Sequence, residues 1–466
     1  MFDIAIKNCS VLMPDFSVKE NQDIYIKDAL IAKITDTDAD RVRETDKTEA
    51  GMCGAKVLGA EGAEGKKARE VISGKGKLVM PGLIDGHTHI CQQLLRGRTA
   101  NEYPMVWTRI LVPFESNLTP EDCYYSARLA CLEMIKSGTT AFAESGSTHM
   151  GDVAEAVVES GMRAAIARST MDMGGAIPDS MKMSAEKNMQ LTHDLYEKYQ
   201  GAGDGRVDIW FAIRQVMTCS PELIREIGTE ARRLKTGIHA HLCEHKDEVS
   251  FCLQHYGKRP AEFLEDMGVL GPNLLTAHNV VLSERDIDRL GEHQVKLIHC
   301  PRANYANHGF PKTPRILQNQ ISLGLGCDGA ARPNLSLFAE MKILLYGTMA
   351  FWGLPIFDPD ILCAKDLLTM VTMGGARALQ HEDSLGTVEE GKKADLITLN
   401  LMQPHLTPTH NRLNTLVDCA SEHDVVDSVI NGKLVMKDRK VLTINEEETI
   451  EECKKRMGQI AQRAGL

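Results

Sequence analysis

The feature that most constrains this chain is an alternation through its middle: eight short apolar runs, each followed by a stretch of helical period. The runs cover residues 78–84, 139–143, 163–167, 207–213, 237–241, 274–278, 295–299 and 322–326. Runs this short and this apolar suit strands buried on both faces, and helices between them suit parallel pairing. Helical stretches at 120–136, 222–235 and 284–292 fit that reading. Eight strand–helix units predict an α/β fold of the (β/α)8 type, a closed barrel with its helices outside.

The flanks follow a different period. Residues 3–7, 23–27 and 31–34 alternate apolar with polar, and so do 394–399, 425–430 and 433–436. Period two marks half-buried strands, and Asn431-Gly432 between the last two is a hairpin signal. The two ends are therefore expected to form one small β-sandwich domain beside the barrel. The expected division is 1–80 for its N-terminal part, 81–385 for the barrel, and 386–466 for its C-terminal part with a closing helix at 450–464. Residues 35–70 are rich in Asp, Glu, Lys, Gly and Ala and read as a flexible surface insertion.

Charge and cysteine content exclude some functions. With 53 Lys and Arg against 64 Asp and Glu, the net charge of -11 argues against a nucleic-acid partner, which needs clustered cations. No apolar run approaches bilayer length, and the start, Met-Phe-Asp-Ile-Ala-Ile-Lys, lacks a signal-peptide pattern. The expectations are no membrane and a cytoplasmic location. Thirteen cysteines without a CxxC pair read as reduced thiols. Cys91, Cys243, Cys300 and Cys327 lie beside the residues discussed next and are expected to pack as small apolar side chains.

In a barrel of this kind the chemistry sits where strands end. The first run leads into His87-Thr88-His89, and the fifth into His239-Ala240-His241-Leu242-Cys243-Glu244. The sixth ends at His278, the seventh at His299, and the eighth runs into Asp328. One His-x-His pair is weak evidence, since a lone histidine is more often a satisfied core residue. Five of eight strand ends carrying His or Asp make the structural reading improbable. His87, His89, His241 and Asp328 offer three imidazoles and a carboxylate to one divalent cation, zinc first and iron as the alternative. Such a cation makes hydroxide available from water near neutral pH. Asp328 can also orient that water, and Glu244 can carry its proton to a substrate. His278 is expected to polarise the attacked group or assist its departure. His239 is expected to face the opposite side from His241, packed between strand and helix.

The segments Pro81-Gly82-Leu83-Ile84-Asp85-Gly86-His87-Thr88-His89, His241-Leu242-Cys243-Glu244, Thr276-Ala277-His278, His299-Cys300-Pro301 and Gly326-Cys327-Asp328-Gly329 closely resemble the amidohydrolase superfamily. The likeness runs in order along nearly the whole chain, through Gly391-Lys392-Lys393-Ala394-Asp395-Leu396 and Val429-Ile430-Asn431-Gly432-Lys433. It implies a hydrolase acting on carbon–nitrogen bonds other than peptide bonds, a small heterocyclic substrate, and a dimer or tetramer of identical chains. Members with two metals bridge them with a modified lysine after the fourth strand. Arg214 stands there, which implies one metal.

Three groups within the superfamily compete for the substrate. Trp107, Pro113-Phe114-Glu115 and Arg168 resemble 5-methylthioadenosine/S-adenosylhomocysteine deaminases, where the Trp packs on the nucleoside and the Glu binds ribose. Gln92 and Arg214 resemble residues that read the purine edge in guanine deaminase. Gln92-Gln93-Leu94-Leu95-Arg96-Gly97 resembles triazine hydrolases. Arg214, Ala303-Asn304-Tyr305-Ala306 and Arg332-Pro333-Asn334 depart from the adenosine-type pattern. The expected substrate contacts are Gln92, Trp107, Glu115, Arg168, Arg214 and His299. All but His299 have a bland alternative: Trp107 as core, Gln92 as a solvated loop residue, Arg214 in a structural ion pair, Arg168 paired with Glu115. The leading expectation is hydrolytic deamination of a purine or purine nucleoside of the adenosine type. Guanine- or pterin-type deamination, a triazine-type chlorohydrolase or aminohydrolase, and a non-catalytic binding protein on a retired barrel are the alternatives.

Overall fold

The structure is a computed structural model that describes residues 1–37, 67–102, 106–175, 177–331 and 334–465. Its strands form two sheets. The first gathers both ends of the chain: β1 (Phe2–Leu12), β2 (Val18–Lys27), β3 (Leu30–Asp36), β4 (Ala68–Ser73) and β5 (Lys77–Pro81) from the start, and β15 (Leu396–Asn400), β16 (Val425–Ile430), β17 (Lys433–Lys437) and β18 (Lys440–Val441) from the end. The second is parallel: β6 (Leu83–His89), β7 (Thr139–Glu144), β8 (Arg163–Ala167), β9 (Val207–Ile213), β10 (Ile238–Leu242), β11 (Leu274–His278), β12 (Lys296–His299), β13 (Leu323–Leu325) and the short β14 (Asp328–Gly329).

The parallel strands pair in chain order from β6 to β13, and β14 then pairs with β6. Only Gly326 and Cys327 separate β13 from β14, so one stretch of chain joins the last strand to the first and closes the barrel. Strands β7, β8, β10 and β11 are buried along their whole length, as both faces of a barrel strand must be. The helices between them start where the sequence supplies caps. Thr119 and Asp122 form a capping box for Pro120–Lys136, Ser220 caps Pro221–Leu234, and Ser283 with Asp286 caps Glu284–Glu292.

Two expectations need correction. The first apolar run, 78–84, is not one strand. Its first half belongs to β5, which pairs antiparallel with β15, and its second half opens β6 in the barrel. The chain crosses between sheets at Gly82, where an added Cβ would lie 2.0 Å from the Thr140 hydroxyl. Apolar pattern could not separate the halves because both are buried. The insertion at 35–70 is shorter than expected, since Thr35 and Asp36 end β3 and Ala68 opens β4, parallel to β1. The rest of that segment, 38–66, lies outside the described residues.

The terminal sheet is mixed, in the order β18-β17-β16-β15-β5-β1-β2-β3, with β4 also on β1. One apolar cluster gathers Ile4, Ile24, Ile72, Val79, Leu396 and Val429 from across it, as facing layers of a sandwich do. The hairpin turn falls on Asn431 and Gly432, both at positive φ, 50° and 72°. A buried ion pair fastens this sheet to the barrel. Arg163, at the start of β8, bonds Asp395 through Nε at 2.8 Å and Nη2 at 3.2 Å. Asp395 also accepts the Asn431 backbone N–H at 2.7 Å. The helical segment Leu337–Ile356 has the length and mean hydropathy, 1.2, of a bilayer span. Leu337, Phe338, Met341 and Leu344 of that segment pack in the main core.

Candidate metal centre and active site

Parallel register brings the expected residues to one rim. Leu242 pairs with His278, His299 with Leu325, and Asp328 with Thr88. Asp85 locks the first strand to the last. Its carboxylate, with no exposed surface, accepts the backbone N–H of His87 at 3.2 Å and of Cys327 at 3.1 Å. Burial pushes this carboxyl up to about 7. Gly326 allows the close approach that follows, since an added Cβ would meet His87 N, Cβ and O at 2.8–2.9 Å.

At that rim His87, His89 and His241 present ring nitrogens within 4.8 Å of one another, and His87, His278 and Asp328 form an overlapping group of the same kind. The Nε2 atoms of His89 and His241 are 3.2 Å apart. Two nitrogens bound tetrahedrally to one zinc would lie about 3.3 Å apart. Asp328 Oδ1 stands 3.5 Å from Nε2 of both His87 and His89. The Nε2 of His87 is buried and has no hydrogen-bond partner among the described residues. Burial holds the imidazoles of His87, His89 and His241 below their usual value, in the neutral form a metal requires. For Asp328 burial opposes ionisation, but His87 and His278 together outweigh it and keep the carboxyl below its ordinary value. An orphaned nitrogen, neutral imidazoles and an ionised carboxylate all fit a bound cation.

Neighbouring groups fix which nitrogen faces inward. Ser145 Oγ lies 2.8 Å from His89 Nδ1, and His239 Nε2 lies 2.8 Å from His87 Nδ1. Each contact occupies Nδ1 and leaves Nε2 as the nitrogen that could bind a cation. The His239 contact overturns an expectation. Residues 239 and 241 are two apart on a strand and share its inner face. His239 is buried one step deeper, against His87, not between strand and helix.

Glu244 stands beyond the end of β10 with both oxygens engaged. Gln215 Nε2 donates to Oε2 at 3.2 Å, and His308 Nε2 meets Oε1 at 3.1 Å. His278 Nε2 is 3.8 Å from the same Oε1. Burial disfavours the charge on Glu244, but His278 and His308 outweigh it and keep the carboxyl well below the usual range. His278 is oriented through Nδ1 by Asn304 Oδ1 at 3.0 Å. Cys243, His278 and Asp328 hold positive φ of 50°, 73° and 63°, where L-residues are strained, so the strand ends are bent as they enter the site.

The expected substrate contacts are distributed unevenly. Glu115 and Arg214 are buried and bonded to each other, Nη2 to Oε1 at 3.2 Å. Gln92 Nε2 donates to the same Oε1 at 2.8 Å, and Arg214 Nη1 donates to Gly146 O at 3.0 Å. Arg168 does not pair with Glu115. It donates to Asn188 Oδ1 at 2.9 Å and Ser169 O at 3.1 Å, and forms no ion pair among the described residues. Trp107 packs partly buried against Val112, Met171, Ile177 and Met181. His299 is wholly buried, its Nδ1–H donating to the His278 carbonyl at 3.0 Å, and burial lowers its imidazole to about 4. Burial holds the thiols of Cys243, Cys300 and Cys327 well above their usual value, as expected of packing groups.

Asp85, Ser145, Gln215, Asn304 and His308 were not singled out in the sequence. Asp85 stood within a recognisable motif, and Gln215 follows the fourth strand by two residues. Nothing local marks Ser145 or His308, whose roles depend on what lies across the barrel.

A parallel barrel with three imidazoles and a carboxylate at the carboxyl ends of its strands defines a hydrolase class that works through a metal centre at that rim. Residues 78–435 match the amidohydrolase family, and the chain belongs to it. It is similar to a 5-methylthioadenosine/S-adenosylhomocysteine deaminase of Caldanaerobacter subterraneus subsp. tengcongensis, 36% identical over 84% of this chain and 88% of that one. A 5'-deoxyadenosine deaminase of Methanosarcina acetivorans is 33% identical over 100% of both chains. The zinc-bound crystal structure of an adenosine deaminase from Xanthomonas campestris superposes with a TM-score of 0.86 at 25% identity, covering 99% of each chain.

Proposed function

We propose that this chain is a metal-dependent hydrolytic deaminase of adenosine-type purine nucleosides, with His87, His89, His241 and Asp328 holding one divalent cation. The observation that carries the reading is the meeting of that donor set with the Glu244–His278 pair at one rim. Relatives similar over most of the chain are deaminases of adenosine derivatives, which supports the substrate class. A bound zinc ion, or iron in its place, supplies hydroxide from water at neutral pH.

The protein groups then manage protons. Glu244, held ionised, accepts one proton of the attacking water and delivers it to the ring nitrogen beside the attacked carbon. The water oxygen stays on that carbon, the second water proton goes to the departing amine, and ammonia leaves. His278, fixed by Asn304, faces the same space and stabilises the developing charge. Glu115, braced by Arg214 and Gln92, keeps lone pairs for ribose hydroxyls, and Trp107 offers an apolar face to the nucleoside.

The test is ammonia release by zinc-loaded protein from adenosine, 5'-deoxyadenosine, methylthioadenosine, S-adenosylhomocysteine, guanine, pterins and aminotriazines. The adenosine derivatives are expected to turn over fastest. Release from guanine or a triazine alone would overturn the substrate class, and release from none would overturn deamination.

A further inference from the structure

His308 stands outside the metal donor set, yet it makes a close contact with the side chain that moves protons. It follows the short helix Pro301–Asn307 and is held by its backbone, with His308 N at 2.7 Å and Gly309 N at 2.9 Å from the Asn304 carbonyl. The same Asn304 binds His278 through its side chain. One turn after β12 therefore places partners for both His278 and Glu244. The His308 side chain is 17% exposed and reaches Glu244 Oε1 at 3.1 Å, opposite the Gln215 amide on Oε2.

We infer that His308 is a positioning residue for the deamination, clamping Glu244 with Gln215 so that its carboxylate is fixed before it accepts the water proton. The inference rests on the reading of Glu244 as the proton carrier. A glutamate carboxylate on three rotatable bonds has several rotamers, and a donor on each oxygen selects one. The charged and titratable groups around His308 are Glu244, His278 at 6.4 Å and His245 at 5.4 Å between ring centroids, and Asp328 acting over a longer distance. Glu244 raises the His308 imidazole above its usual value despite the opposing effect of burial, so His308 donates in a charge-assisted bond. Its Nδ1 is buried and has no hydrogen-bond partner among the described residues, so among these the ring is held from one side by Glu244.

The experiment measures steady-state kinetics of zinc-loaded His308→Ala, His308→Gln, Glu244→Gln and the double variant His308→Ala/Glu244→Gln on adenosine and 5'-deoxyadenosine, with metal content determined for each. His308→Ala is expected to lower kcat by about ten- to a hundredfold at nearly unchanged KM and full metal content. His308→Gln, which keeps an amide donor near the Nε2 position, is expected to recover part of the loss. If His308 acts through Glu244, its replacement costs nothing further in the Glu244→Gln background. A kcat for His308→Ala within about twofold of the parent, with Glu244→Gln inactive, overturns the inference and leaves the proposed function standing. So does an equal loss in both backgrounds, which marks a merely structural residue. Full activity of Glu244→Gln removes the proton-carrier reading itself. Should His308→Ala fail to fold, His308→Leu, which fills the space without a donor, carries the same comparisons.

Discussion

Glu115→Gln tests the buried network beside the metal centre. Glu115 and Arg214 are 1% and 3% exposed, with 3.2 Å between Oε1 and Nη2. At an effective dielectric of about 20, two unit charges at that distance attract by about 5 kcal/mol. Neutralising Glu115 removes that attraction and leaves a guanidinium in the interior without its countercharge, hydrogen-bonded to neutral acceptors, the Gly146 carbonyl and the new amide oxygen. Stranding one member of a buried pair costs about 3–5 kcal/mol. Replacing both, as in Glu115→Leu/Arg214→Met, is expected to cost far less, because no charge is then left unpaired. The assay is chemical unfolding of metal-loaded protein followed by circular dichroism, with the midpoint compared at constant slope. A loss below about 1 kcal/mol for Glu115→Gln, or a double variant as unstable as the summed singles, would refute the claim that this pair is a coupled interior unit. The kinetics of the same variants separate stability from substrate contact, since a ribose ligand predicts a raised KM for nucleosides but not for the free base.

Three further outcomes are expected. Gly326→Ala forces a Cβ against the His87 backbone at 2.8–2.9 Å and should lower zinc affinity by about ten- to a hundredfold, measured by competition with a chromogenic chelator. Removing metal with a chelator, or replacing His87 with Ala, should abolish ammonia release; wild-type protein should also regain about 2.7 kcal/mol of stability when zinc is restored at a hundred times its Kd. Glu248, at the start of the helix Lys246–Tyr256, has its carboxyl raised by burial from 4.5 to about 8. Its folded form therefore holds the proton more tightly, and its stability contribution is full below pH 4.5 and lost as pH rises through about 8. Glu248→Gln should consequently melt higher than the parent at pH 8.5 and show no such gain at pH 4; a constant difference across that range would refute the assignment.

The sequence by itself determined the alternation of buried strands and amphipathic helices, and with it the barrel. Local pattern sufficed because strand and helix periods, caps and the Asn431-Gly432 turn are set by near neighbours. It also marked His87, His89, His241, Glu244, His278 and Asp328 as candidates for one site, because residue type and place at a strand end are both visible in one dimension. The tertiary structure decided what depends on contact across the barrel. It put the sheet crossing at Gly82, turned His239 inward against His87, spent Arg214 on Glu115, and set Asp85 between the first and last strands. The physical reason is that hydrogen bonds and ion pairs act over about 3 Å of space, whatever the separation along the chain. Positions 85 and 327, or 244 and 308, become neighbours only when the barrel closes.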